Sequence, residues 1–239
     1  MRRVLLAAVM VAPFLYMVWV ALAAGPHALA ALPLGRLVLT SAIVAVSVVI
    51  GQVATSAMAA YAFARLRFAG RDRLFLAYLS TLTVPTILLV LPRFLLIDAM
   101  GWADGYGGLI STELVSVTGI FLLRQFFRTL PRDVEDAARL EGAGEWTIFR
   151  RVIVPQARPA LATLALLGFV EQWRSFLWPL VVAQAGGPQT VEVGMANLRG
   201  MYALSGPDQI AIAAVATVPV AVLCVVARKY FIRGMRPCV

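Results

Sequence analysis

Charge is scarce in this chain, and side chains suited to catalysis are scarcer still. Only 14% of the residues are charged, against about 25% in a soluble domain. Histidine occurs once, at His27, and the two cysteines, Cys224 and Cys238, leave no framework of paired thiols. So few ligands exclude a disulfide scaffold and offer no metal site. An intramembrane protease needs histidine with serine or glutamate, or a pair of aspartates. His27 lies in a loop, and no aspartate pair lies within the apolar runs. Lysine also occurs once, at Lys229, outside any glycine-rich sequence. A phosphate-binding Gly-x4-Gly-Lys-Ser/Thr loop is therefore missing. No catalytic residue, no metal and no nucleotide cofactor are expected in this chain.

What fills the sequence instead is apolar. Hydrophobic residues make up 61% of the 239 and the mean hydropathy is +0.86. A surface of ordinary polarity cannot be built from this composition, so a bilayer is the expected solvent. Apolar runs at 4–24, 37–64, 74–97, 106–123, 160–183 and 210–227 each reach the length of a membrane-spanning helix, roughly 17 residues or more, and the first is about 31 Å long. The first follows Met1-Arg2-Arg3 and also reads as a signal peptide, but its length and the runs after it favour a span. The fold class expected is thus an all-α polytopic membrane protein with a single domain over 1–239.

Polar residues within these runs carry separate expectations. Thr40, Ser41, Ser47, Gln52, Thr55 and Ser56 suit close helix packing. Pro85 and Pro92 should interrupt the third run. Arg93 can snorkel to an interface. Glu113 lies where a lone charge is expensive and so must be paired or functional.

The net charge of +9 does not point to nucleic acid, because the basic residues flank apolar runs and form no single face. With both termini, residues 65–73 and residues 124–158 on one side, all basic residues but Arg36, Arg93, Arg174 and Arg199 fall together. The positive-inside rule makes that side cytoplasmic.

The longest charged segment, 131–155, lies between the fourth and fifth runs and is bounded by Pro131 and Pro155. Pro131 suits a first helical turn, and Asp133, Glu135 and Asp136 favour the positive helix end. Val134, Ala137 and Ala138 form a small apolar stripe, and Gly142 and Gly144 break the helix. A second, amphipathic helix follows, with Trp146, Phe149, Val152 and Ile153 on one face and Pro155 as its stop. Physics alone leaves connector and docking helix as equal readings.

Asp136-Ala137-Ala138, three residues, Gly142, nine residues, Val152, one residue and Val154-Pro155 resemble the Glu-Ala-Ala loop of ABC importer permeases. Asp136 stands for the family's Glu, and Val152 and Val154 stand for its Ile and Leu. Residues 59–71, Phe176-Leu177-Trp178-Pro179-Leu180 and Tyr230-Phe231-Ile232-Arg233-Gly234 are similar to the carbohydrate-type, maltose-permease-like subfamily. The resemblance covers about 37–235, and the loop after the first run is shorter than is usual there.

The resemblance implies a type I importer transmembrane fold in a bacterial inner membrane. It implies a second permease as heterodimer partner, two ATPase subunits that bind the ATP, and an extracytoplasmic solute-binding protein. It implies that Glu135, Asp136, Ala137, Ala138, Arg139, Glu141, Gly142 and Ala143 form the ATPase-coupling face, with Trp146, Phe149 and Val152 anchoring the second helix. In the fifth run, Glu171, Trp173, Arg174 and Ser175 are the solute-path candidates. Relatives commonly carry Trp-Asn-Glu/Asp-Phe where this chain has Trp173-Arg174-Ser175-Phe176. Trp173 can stack on a sugar, and Arg174 suits an anionic solute such as a glycerol-phosphate derivative. Alternatively, Glu171 and Arg174 pair with each other on one helix face. A secondary transporter or channel would use Glu113, Glu171 and Arg174 without needing the loop spacing.

Overall fold

The computed structural model describes residues 33–183 and 186–201, with parts of 12–20 and 209–223. Every regular element among the described residues is helical. Most of the candidate span 4–24 and parts of 210–227 lie outside them.

One long helix, α1 (Leu34–Arg65), is the spine of the fold. At 1.5 Å per residue it is about 48 Å long, and among the described residues it alone is long and apolar enough to cross a membrane unbroken. Its buried face carries mostly small side chains, Ala45, Ala57, Ala60 and Ala64 among them, which bring neighbouring helices close. Against it packs α5 (Val117–Thr129), where a Cβ added to Gly119 would stand 2.7 Å from the Ser56 hydroxyl. On another side lies α9 (Arg158–Trp173).

The third, fourth and fifth apolar runs are broken helices. The third becomes α2 (Arg71–Ser80), a 3-10 turn (Thr81–Thr83) and α3 (Thr86–Ala99), bent by 100°. Pro85 sits at the break, as an imino acid without an N–H should. Pro92, expected to interrupt as well, is accommodated inside α3. Ser80, Thr81 and Thr83 turn their hydroxyls back onto the carbonyls of Ala77, Tyr78 and Ser80 around the bend, each at 2.7 Å.

The fourth run is likewise split, into α4 (Tyr106–Ser111) and α5, with an irregular stretch at 112–116. Its carbonyls are satisfied from α1: Gln52 donates to Glu113 O (2.9 Å), Thr55 to Leu114 O (2.9 Å) and Ser56 to Ser116 O (3.4 Å). These polar residues of α1 thus let a non-helical backbone persist between apolar helices. The fifth run divides into α9 and α10 (Leu177–Val182), and α11 (Val191–Met201) follows.

Three buried clusters lie along α1. Leu37 meets Trp173, Val191 and Ala216 at one end. Val44 and Val48 meet Ile97, Leu109, Trp178 and Val182 next. Ala57, Ala60, Tyr61 and Ala64 close the other end against Leu123, Phe127, Ile148, Phe149 and Ile153. The third cluster matters most for function, because it seats the charged loop under the helix ends.

Candidate functional site: the charged loop at 131–155

The loop folds as α6 (Asp133–Leu140), α7 (Glu145–Ile148), a π turn (Phe149–Ile153) and a last short turn, α8 (Val154–Gln156). Pro131 precedes α6 by two residues and does not enter its first turn. Asp133, Glu135 and Asp136 do occupy that turn, where the helix dipole favours them. The helical path continues one residue past Pro155 before bending by 77° into α9.

Gly142 ends α6 through a Schellman motif. Its own N–H reaches Arg139 O (3.0 Å), and the Ala143 N–H reaches Ala138 O (2.9 Å). This pattern needs a left-handed residue, and Gly142 has φ +83°. Ala138 and Ala143, the pair that the motif brings together, both pack against the lower core cluster.

One side of α6 is held from within. The Glu135 carboxylate is 1% exposed and meets the Arg65 guanidinium at 2.9 Å. The Arg65 Nε and Glu135 Oε1 face each other as charges, without the alignment of a hydrogen bond. Arg65 also donates to Leu130 O at 2.8 Å, fixing the chain just before the loop. Arg139 reaches Asp136 (3.0 Å), Glu145 (3.1 Å) and, more distantly, Glu135 (3.7 Å). The Tyr61 hydroxyl donates to Glu145. A chain of polar contacts therefore ties α1 to both arms of the elbow.

These contacts set the ionisation of the loop. Burial pushes the Glu135 carboxyl above its ordinary range, with Arg65 and then Arg139 opposing the rise. Hydrogen bonds from Arg139 and Tyr61 hold the Glu145 carboxyl below its ordinary range. The hydrogen bond to Glu145 in turn raises Arg139.

The opposite side of α6 is bare. Leu140 is 91% exposed, Val134 is 48% exposed, and Ala137 lies exposed between them. Three-residue steps place these side chains on one stripe. Of the coupling residues expected from sequence, Asp136, Ala137, Arg139, Glu141 and Gly142 are exposed, while Ala138 and Ala143 are half-buried. Glu135 is the exception: it points inward as an anchor. Leu140 lies outside the expected set, although its spacing from Val134 and Ala137 places it on the same stripe.

The second arm also differs from expectation. Ile148, Phe149 and Ile153 are the buried anchors, Val152 is half-buried and Trp146 is 63% exposed. The π turn is the reason. Its wider winding aligns residues five apart, so Ile148 and Ile153 share a face, and the α-helical spacing from Trp146 does not carry through.

The solute-path candidates are separated by the end of α9. Trp173 is 3% exposed, stacks on Phe169 and donates its indole N–H to Ala216 O at 3.0 Å. Its ring is therefore committed to packing. Glu171 and Arg174 are exposed and Ser175 is half-buried. Among the described residues Glu171 and Arg174 form no ion pair with each other, because α9 ends at Trp173 and Arg174 leaves the helical path.

The charge pair of this region lies elsewhere. Arg93 bonds the Glu113 carboxylate and the Thr112 hydroxyl, Gln172 donates to Glu113 (3.4 Å), and Arg93 lies 4.3 Å over the Trp178 ring. Glu113 is thus paired, and Arg93 turns into the bundle instead of snorkelling.

Residues 52–236 match the family described as binding-protein-dependent transport system inner membrane component. The chain is 32% identical over 192 residues to the arabinooligosaccharides transport system permease protein AraQ of Halalkalibacterium halodurans, covering 80% of this chain and 69% of that protein. It is 30% identical over 217 residues to the sn-glycerol-3-phosphate transport system permease protein UgpE of Agrobacterium fabrum, covering 90% and 77%. Its fold is similar to a chain of a bacterial ABC transporter involved in the import of the acidic polysaccharide alginate. That similarity has a TM-score of 0.71 at 24% identity over 82% of this chain and 74% of the other. The chain therefore belongs to the family of binding-protein-dependent transport system inner membrane components.

Proposed function

We propose that this chain is the permease subunit of an ATP-driven importer for a sugar or sugar-like solute, a glycerol-phosphate derivative included. α6 is its coupling helix. The observation that carries this reading is the two-sided character of α6. One side is locked to α1 through the buried Arg65–Glu135 pair, and the other presents Val134, Ala137 and Leu140 bare. A mere connector needs neither the internal lock nor the uncovered leucine.

An ATPase groove seated on the bare stripe would push on α6. The ion pair and the lower core cluster would then pass that displacement to α1 and α5 as a rigid-body movement. ATP belongs to two such partner ATPases, and this chain holds no nucleotide. A second, related permease completes the path, and an extracytoplasmic binding protein delivers the solute. In this reading the chain crosses the membrane six times with both termini in the cytoplasm. The sugar and glycerol-phosphate names of its relatives support the solute class. They favour an importer over a secondary transporter or channel.

The test is co-purification of the permease pair with its ATPase, together with uptake. Leu140→Asp places a charge on the bare stripe without touching the core. It should release the ATPase and abolish uptake while leaving the permease pair assembled. An unchanged ATPase yield and normal uptake with Leu140→Asp would overturn the coupling role.

A further inference from the structure

A cleft of about 670 Å³ opens where α1 ends, α2 begins and the chain turns into α6. Arg67, Arg71, Arg73 and Arg132 line it, and Asp72 is its one carboxylate. Asp72 is already engaged by Arg71 and Arg124, each at 3.2 Å. The side chains of Arg67, Arg73 and Arg132 make no hydrogen bond or ion pair among the described residues. Three guanidinium groups thus border one cleft with no carboxylate in ion-pair contact, and Arg132 feels Glu135 only at longer range.

A guanidinium is a planar fork of donors that matches a phosphate group, and it is less strongly hydrated than an ammonium. The cleft has donor capacity for such a group, and its one carboxylate, Asp72, is already taken by Arg71 and Arg124.

A second observation narrows the ligand. α2 leads away from the cleft with its leucines outward: Leu74 is 55% and Leu76 is 64% exposed, while Phe75 alone is buried. Free arginines at the head of a helix, followed directly by bare leucines, match the order of a phospholipid headgroup and its chains. The acidic surface of a protein partner would meet the arginines but leave the leucines uncovered. The basic residues also mark the cytoplasmic leaflet, which is the anionic one.

We propose that this cleft binds the phosphodiester headgroup of an anionic phospholipid, with the outer face of α2 lying along its acyl chains. The proposal depends on the chain's place in the inner membrane and not on which solute it carries. Bound lipid would brace the 65–73 connection that joins α1 to α2, next to the coupling loop.

The experiment uses the assembled importer in nanodiscs of phosphatidylcholine containing a minor fraction of phosphatidylglycerol. Retained lipid is counted by native mass spectrometry. The wild-type complex should keep phosphatidylglycerol selectively. The triple variant Arg67→Gln/Arg73→Gln/Arg132→Gln should lose affinity on the order of a hundredfold, since each basic residue near an anionic surface contributes about a factor of five. The matching Lys triple, which keeps the charge, should retain most of the selectivity. Co-elution of the ATPase reports assembly. If the Gln triple does not assemble, Arg73→Gln on the exposed start of α2 should still lower retention severalfold.

Equal phosphatidylglycerol retention in wild type and assembled Gln variants would overturn the proposal. So would loss of the ATPase with lipid retention intact, which would make the cleft a protein interface. Saturable binding of inorganic phosphate in phosphatidylcholine discs, with no preference for phosphatidylglycerol, would assign the cleft to free phosphate and overturn the lipid.

Discussion

Arg65 and Glu135 meet in a buried pocket, and their two charges are not equivalent. A glutamate in such a place can take up a proton, and burial already pushes Glu135 in that direction. A guanidinium has no comparable escape. Breaking a buried pair costs about 3–5 kcal/mol. Glu135→Gln, which strands Arg65, should fall at the high end of that range in thermal unfolding of the purified complex, and Arg65→Gln at the low end. The double variant Arg65→Met/Glu135→Leu should recover most of the loss. Equal effects of the two single variants would contradict this asymmetry. Gly142 is a simpler case, because an added Cβ would meet only open space. Gly142→Ala should therefore cost only the left-handed backbone penalty, about 1–2 kcal/mol, and Gly142→Asn less. At the solute path, Arg174→Ala should depress uptake of an anionic solute more than that of a neutral sugar. Equal losses would count against anion recognition there.

At the scale of elements, the elbow between α6 and α7 responds to pH with a definite sign. Glu145 is depressed in the fold, so its ties to Arg139 and Tyr61 contribute above the unfolded value of about 4.3 and are lost as pH falls through its folded value. Glu135 is raised and acts oppositely, its contribution lost as pH rises through its folded value. Hydrogen-exchange protection of residues 142–147, corrected for the intrinsic pH dependence of exchange, should fall as pH drops below the ordinary glutamate range, and Glu145→Gln should show that loss of protection already at neutral pH.

The acidic first turn of α6 and its glycine stop are legible in the sequence because acidic residues and glycine act locally on a helix end, whereas Pro131 falls outside the helix. The inward turn of Glu135 is not legible, since its partner lies at Arg65 in another helix. The broken spans were also hidden. Residues 106–123 read as one apolar run, and only the placement of Gln52, Thr55 and Ser56 opposite 112–116 shows why a gap is tolerated there. Trp173 looked available to a solute because nothing local marks the Ala216 carbonyl as its partner.

For the whole molecule, composition was enough to give the helical class and the membrane, because so apolar a chain has few other solvents. Its outer surface agrees: Leu88, Leu91, Leu95 and Leu96 of α3 are each more than half exposed, a surface that lipid or a second permease must cover. The proposed topology can be tested by single cysteines introduced after Cys224 and Cys238 are replaced by serine. Arg73→Cys should react with an impermeant thiol reagent only from the cytoplasmic side, and Met100→Cys only from outside. Reaction of both from one side would refute the arrangement. The π turn at Phe149–Ile153 also bears on the molecule as a whole. It works as a slack turn between the loop and everything that follows. Removing one residue there would let the backbone relax into an α-helix, so that Ile148 and Ile153 would stand four apart in place of five and still share a face. α9 should then keep its setting on the loop, and the Trp173–Ala216 contact should survive. Removing a residue from the regular winding of α9 has no such slack and turns everything after it by about 100°, so this one wide turn is where the chain can lose a residue without its two halves falling out of mesh.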